Sequence, residues 1–496
     1  MTTRHLKHKP RKAHDPAPAP GAAADTPHTV DEPRFAQPTP SGDPGSFLVP
    51  HTSDAAAYKI LDSEGRAGEL GPLPFPPARG GTEPVLTLAA VYGAHGADVE
   101  AKITAAGQMV FHAVGDTGNT RSTEPQNMVA DKLTSDFDET DPREIPQFFL
   151  HLGDVIYSFG EAKYYHDQFY EPYRGYPAPI LALAGNHDGI IAPGSGTPTL
   201  RAFLDNFCAD TFIVTPDAGG LDRTAQIQPG VYFTLEAPML RVLCLYSNAL
   251  EDPGVISSQG GKFPQVGDVQ LDYLRAALTR VHTDGFAGAL IIAHHHPAYT
   301  AGSKHGWSPD MRAEIDAICT EVGVWPHAVL SAHAHNYQRF TRATQGRQTP
   351  YLIAGGGGHG VSKLVRKGGI ALRVPQVIDD TDGDQVVLES YDDQDFGYLR
   401  ILVTPTQLRI EYHPATDGET AKTPDDFVTV DLATHQLVHF GSPAPMTAGA
   451  PDPAPPRHHR RPRPPLTPPP RSEQPPSPDQ ATGRHAVRNR ANARAR

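Results

Sequence analysis

Between residues 84 and 440, short apolar runs alternate with longer amphipathic or polar segments, the pattern of an α/β domain. The runs at 109–114, 148–152, 180–184, 241–246, 289–293, 328–332 and 351–354 read as buried strands. Helices fit the gaps. Leu271, Leu274, Leu278 and Val281 are spaced for one face of a helix over 269–281, and Met311, Ile315 and Ile318 repeat that spacing over 310–322. The stretch 396–413 reads as a hairpin turning at Thr404-Pro405-Thr406 and as the last pair of strands. No internal repeat is visible.

All but two of the seven runs lead directly into a motif rich in possible metal donors. These are Gly115-Asp116-Thr117-Gly118, Gly153-Asp154-Val155-Ile156-Tyr157, Gly185-Asn186-His187-Asp188, His294-His295-His296-Pro297 and His333-Ala334-His335. The exceptions lead to Ser247-Asn248 and to Gly355-Gly356-Gly357-Gly358. Donors at the carboxyl ends of adjacent strands converge on one edge of a sheet, where open α/β folds place their sites.

Carboxylate, amide and imidazole together suit first-row transition metals. Asp116 or Asp154 alone is a common turn residue, and a single histidine is more often a hydrogen-bonded structural group. An amide and an imidazole side by side, as in Asn186-His187, have few purely structural uses. Period-two spacing puts His333 and His335 on one side of an extended chain. In the His294 to His296 triplet, alternation sends His294 and His296 one way and His295 the other. The Gly355 to Gly358 run lacks the lysine and helix start of a phosphate loop and reads as a sharp turn that lets backbone approach the site.

Composition narrows the folded part. The chain has 496 residues, 51 of them proline, and Pro, Ala, Gly, Ser and Thr dominate both ends. Segments 1–83 and 441–496 bury too little apolar surface to offset their ordering entropy and are expected to be disordered or polyproline-like tails around one domain over 84–440. The start of the first tail is basic (Arg4, Lys7, Lys9, Arg11 and Lys12) and the second tail is net basic (Arg457, Arg460, Arg461 and Arg463 among others), while the whole chain carries −13. The domain is therefore acidic. The tails suit contact with polyanions such as nucleic acid or polyphosphate, or a plain solubilising role. No apolar run approaches the roughly 20 residues of a membrane span, and the start lacks a secretory signal, so the expected compartment is the cytoplasm. Cys208, Cys244 and Cys319 are odd in number and far apart, which argues against a disulfide framework. Nothing in the sequence sets the oligomeric state.

The ordered set Gly-Asp, Gly-Asp-x-x-Tyr, Gly-Asn-His-Asp, His-x-Pro and His-x-His resembles the calcineurin-like metallophosphoesterase superfamily over roughly 85–412. That resemblance implies a four-layer α/β/β/α sandwich of two mixed sheets flanked by helices. Many members carry Asp-x-His in the first motif, whereas this chain has Asp116-Thr117-Gly118. The Gly-Asp-x-Gly form resembles the purple acid phosphatase branch, in which a tyrosinate three residues after the second aspartate replaces the missing histidine; here that is Tyr157. A packing role for Tyr157 is the alternative.

Carried over residue by residue, the resemblance gives one metal Asp116, Asp154, Tyr157 and His335, and the other Asp154, Asn186, His295 and His333. Asp154 bridges. His187 is implied to contact the substrate phosphate or protonate the leaving oxygen, and His305 to be a further outer histidine. The implied cofactors are two metal ions, Fe(III) with a divalent Zn, Fe or Mn, and the implied reaction is hydrolysis of a phosphate monoester by metal-bound hydroxide. The alternatives are a phosphodiesterase or nucleotide hydrolase with two non-ferric divalent metals and, more remotely, a non-catalytic polyanion-binding protein. Three features depart from the branch. Ala332 replaces the glycine before His-x-His, the stretch before Asp116 is too short and proline-rich for the amino-terminal fibronectin-like domain of the plant enzymes, and no export signal is visible.

Overall fold

The computed structural model describes residues 26–37, 57–59, 61, 71–302, 304–364, 371–381, 384–415 and 423–438. The expected tail at 441–496 lies outside the described residues. Within the other expected tail, 1–83, the described stretches lie against the domain. His28–Thr29 pairs with Ile213–Val214, the Phe35 ring meets the Tyr92 ring edge-on, and Arg79 donates to the carbonyls of Cys208, Ala209 and Gln228.

The strands of the two large sheets, in chain order, are β1 (Val85–Thr87), β2 (Met109–Val114), β3 (Pro146–His151), β4 (Ile180–Ala182), β5 (Phe233–Ala237), β6 (Leu240–Cys244), β7 (Ala289–Ala293), β8 (Ala328–Ser331), β9 (Tyr337–Thr344), β10 (Arg347–Ala354), β11 (Gln376–Thr381), β12 (Asp384–Asp392), β13 (Gly397–Val403), β14 (Gln407–Pro414), β15 (Asp426–Asp431) and β16 (Gln436–Leu437). The longer helices are α1 (Gly96–Ala106), α2 (Glu124–Ser135), α3 (Val269–Thr283) and α4 (Pro309–Val322). One sheet has the order β16-β15-β14-β13-β2-β3-β4, and the other β11-β12-β9-β10-β8-β7-β6-β5-β1. Both are mixed. β2, β3 and β4 run parallel, as do β6, β7, β8 and β10, while the hairpins beside them are antiparallel.

Side-chain alternation sorts the strand residues between layers. Phe111, Ala113, Phe148 and Leu150 of the first sheet share a buried cluster with Leu235, Val242, Ile291, Leu330 and Leu352 of the second, which fills the space between the sheets. Val114 and Phe149, and Leu243, Leu290 and Ile292, instead lie in a cluster with helix residues: Val129 and Leu133 of α2, Leu274 and Leu278 of α3, Met311 and Ile315 of α4. The result is the mixed α/β sandwich with helices outside that the resemblance implies. With both faces covered, the parallel strands are mostly buried and mostly apolar, which is why they stand out as runs.

Local signals set the helix ends. Proline occupies the first turn of α4, where its missing N–H costs nothing, and Gly323 ends the helix at φ 76° with its N–H donating to the Cys319 carbonyl. Two sequence expectations need correction. The 397–414 hairpin is not the last pair of strands, because β15 and β16 extend the same sheet antiparallel to it. The expected strands at 180–184 and 241–246 end at Ala182 and Cys244, since each chain turns there into the site. The three cysteines are buried free thiols. No described helix is long and apolar enough to cross a membrane.

Candidate metal centre

The parallel strands of both sheets deliver their carboxyl ends to one place. β2, β3 and β4 lead to Asp116, Asp154 and Asn186-His187; β7 and β8 lead to His295, His333 and His335. The turns that do this are tight. Asp116, Asp154 and His333 all have left-handed backbone, at φ 56°, 55° and 65°. Such a conformation costs a residue with a Cβ on the order of 1–3 kcal/mol and concentrates at functional sites. Glycine makes the close approach possible at Gly185, where an added Cβ would stand 2.1 Å from Asp154 Oδ1, and at Gly355, where it would stand 2.6 Å from Asp116 Oδ2. The glycine run is thus the sharp turn expected of it.

The donor atoms are aimed by backbone hydrogen bonds. The His333 N–H donates to Asp116 Oδ2 at 2.7 Å, and the His187 N–H donates to Asp154 Oδ1 at 2.8 Å. Each carboxylate is left with one oxygen facing the site. Tyr157 Oη lies 2.9 Å from both free oxygens, Asp116 Oδ1 and Asp154 Oδ2, and 3.4 Å from His335 Nε2. His335 Nε2 is 3.5 Å from Asp116 Oδ1. The Gln168 side-chain amide brackets the Tyr157 peptide, accepting from its N–H and donating to its carbonyl, both at 2.8 Å.

On the other side of Asp154, His295 donates from Nδ1 to the Leu152 carbonyl at 2.8 Å, which turns Nε2 inward. Nε2 stands 3.1 Å from Asn186 Oδ1 and 3.3 Å from Asp154 Oδ2. The ligand atoms of Asp154, His295 and His333 lie within 4.8 Å of one another. His333 Nε2 is buried and has no hydrogen-bond partner. The seven residues expected as ligands therefore meet in two groups that share Asp154. Their neighbours in sequence do not join them. His296 binds Ser247 Oγ and the Leu250 carbonyl, His294 binds the His296 carbonyl, and Asp188 accepts from the Gly185 and Val155 N–H groups.

Electrostatics show what the groups lack. Burial and the Asp154 charge push the Asp116 carboxyl well above its usual range. Burial and the same two carboxylates keep the Tyr157 phenol protonated. Burial works against a charged His295, but Asp154 and Asp116 hold its imidazole up at about 9. His333 and His335 are driven well down by burial and by neighbouring histidines, so both present neutral lone pairs. Acceptors converge with few donors among them, and a cation satisfies them. On this test the residues fit metal ions.

Comparison with known proteins agrees. Residues 109–337 match the calcineurin-like phosphoesterase family model. They form a calcineurin-like phosphoesterase domain. The family is one of metal-dependent phosphoester hydrolases. No curated relative matches the sequence. Similar solved structures include GAP50, the anchor in the inner membrane complex of Plasmodium, with a TM-score of 0.41 at 11% identity over 63% of this chain and 86% of that one. PhoD gives a TM-score of 0.40 at 15% identity over 68% and 73%. A dimetal phosphatase from Danio rerio gives 0.35 at 12% identity over 65% and 99%.

Around the phosphoesterase centre lie further groups. His187 donates from Nδ1 to the Ser158 carbonyl at 2.8 Å, and its Nε2 is 3.8 Å from Glu251 Oε1. The ring of His305 sits 4.7 Å from that of His333 and 4.8 Å from that of His335. The sequence reading missed four residues. His359, just past the glycine run, stacks on Tyr157 at 3.6 Å and binds the Gly118 carbonyl. Tyr58, inside the expected tail, lies against His187 at 4.8 Å. Glu251 and Asp252 follow β6, one of the two runs that lacked a donor motif. The available signal was position alone, past the carboxyl end of a parallel strand.

Proposed function

We propose that this chain is a dinuclear-metal phosphoesterase of the purple acid phosphatase type, acting on phosphate monoesters. One observation carries the reading: the Tyr157 phenol oxygen stands between the free oxygens of Asp116 and Asp154, 2.9 Å from each, with His335 Nε2 at 3.4 Å. A packing tyrosine has no need of two carboxylates. Asp116, Asp154, Tyr157 and His335 would hold a ferric ion, and Asp154, Asn186, His295 and His333 a divalent zinc, iron or manganese.

When bound, such a pair supplies Lewis-acid activation of water and neutralises the charge of a transferring phosphoryl group. The chain's own residues orient and move protons. The His187 backbone N–H fixes Asp154, while its ring, held through Nδ1 by the Ser158 carbonyl, in its imidazolium form presents Nε2–H to protonate the leaving oxygen and is left as the neutral imidazole. Gln168 and the His359 ring fix the position of Tyr157.

The test is elemental analysis of protein purified without added metal. Iron with one equivalent of a divalent metal is expected, with iron selectively lost in Tyr157→Phe. Two zinc or manganese ions and no iron would overturn the ferric reading and make diesters and nucleotides the substrates to assay.

A further inference from the structure

Three ligand atoms beside the centre are buried without a hydrogen-bond partner: His333 Nε2, His305 Nε2 and Glu251 Oε1. Each of the three residues offers a ligand atom within 4.8 Å of those of the other two. Asp252 Oδ1 adds a second carboxylate oxygen 3.4 Å from His333 Nε2, and is itself fixed by the Gly306 N–H at 2.8 Å. Buried polar atoms without partners are rare in folded proteins, and three aimed at one point call for an occupant. An anion such as the substrate phosphate would meet Glu251 and Asp252 head-on. A cation meets two imidazoles and a carboxylate, a donor set that zinc takes readily.

We infer that Glu251, His305 and His333 form a second position for the divalent ion, alternative to the one that His333 shares with Asp154 and His295. A single imidazole nitrogen binds one ion at a time, so the two positions exclude each other and His333 is their common member. His305 is then a ligand of the outer position. Glu251, 3.8 Å from His187 Nε2, ties that position to the residue assigned to the leaving group. The inference rests on the dinuclear reading for the inner position only.

The experiment is calorimetric titration of the full chain, stripped of metal by chelation, with Zn²⁺. With the inner position intact, Glu251→Gln, which keeps size and shape, and His305→Ala should each leave Zn²⁺ affinity as it is, because the ion takes the inner position instead. In an Asp154→Asn background, which disables the inner position, one Zn²⁺ should still bind, and adding Glu251→Gln or His305→Ala should weaken it by about tenfold or more, the scale at which even supporting groups of metal sites act. Zn²⁺ binding in the Asp154→Asn chain that neither addition weakens overturns the outer position and leaves the dinuclear centre standing. A wild-type chain that takes up no Zn²⁺ overturns both.

Discussion

His187 separates backbone from side chain. Its N–H holds Asp154 in place, and its ring does the chemistry proposed for it. His187→Ala keeps the first and removes the second. Turnover on a phosphate monoester should therefore fall by roughly 10²- to 10⁴-fold, the usual scale for a general acid, with metal content unchanged by elemental analysis. Loss of both metals in that variant would mean that the ring holds the centre together instead. The residues that the sequence reading missed are intelligible at this scale too. His359 and Tyr58 touch the site through their rings, with no periodicity and no donor motif around them in the sequence. A lone ring outside any motif carries no pattern to read.

At the scale of elements, the turn after β2 and the turn after β8 are in contact. A Cβ at Gly115 would stand 2.6 Å from the Ala332 Cβ, so the alanine that replaces a glycine before His333 is tolerated because Gly115 has no side chain. Gly115→Ala should destabilise the protein by about 1–3 kcal/mol through overpacking, and adding Ala332→Gly should restore part of that loss, measured as urea midpoints in a double-mutant cycle. Equal midpoints for the single and double variants would place the strain on the nearby Leu152 and Gly153 backbone.

The same scale shows which elements the sequence made legible. β2, β3, β7 and β8 are mostly apolar because both faces are buried, with His112, Gln147, His151 and Ser331 as exceptions, and α3 and α4 keep one apolar stripe. β9 was not legible. It is a central strand that carries Arg339 and Arg342, whose charges are met by Asp426 and by Asp316 and Asp384 on other elements. Buried polar residues with distant partners erase the apolar pattern, and the partners cannot be found along the chain. The metal donors were legible because each follows an apolar run, and Glu251 was not because the run at β6 leads to Ser247-Asn248, with no donor motif directly after it.

For the molecule as a whole, charge clusters tie stability to pH. Burial alone would raise the Glu411 carboxyl, but hydrogen bonds from His413 and Arg409 and the charges of Arg409 and Arg400 outweigh it and hold it at about 2, below its ordinary 4.5. A depressed carboxyl adds stability that is fully present above pH 4.5 and is lost as pH falls towards 2. Glu411→Gln should lower the urea midpoint at pH 6 and narrow its drop between pH 5 and pH 3. An unchanged drop would assign the acid limb to other carboxylates.

Asp116, Asp154, Tyr157 and Asn186 hang from one sheet, and His295, His333 and His335 from the other. Between the sheets lies an apolar layer that includes the stacked rings of Phe111 and Phe148. That layer is a gauge block: its thickness fixes the gap across which a metal pair must be gripped. Phe111→Leu, which touches no donor, should therefore loosen metal binding in a Zn²⁺ titration. An equally destabilising change in the edge strand β11 should leave the grip as it was.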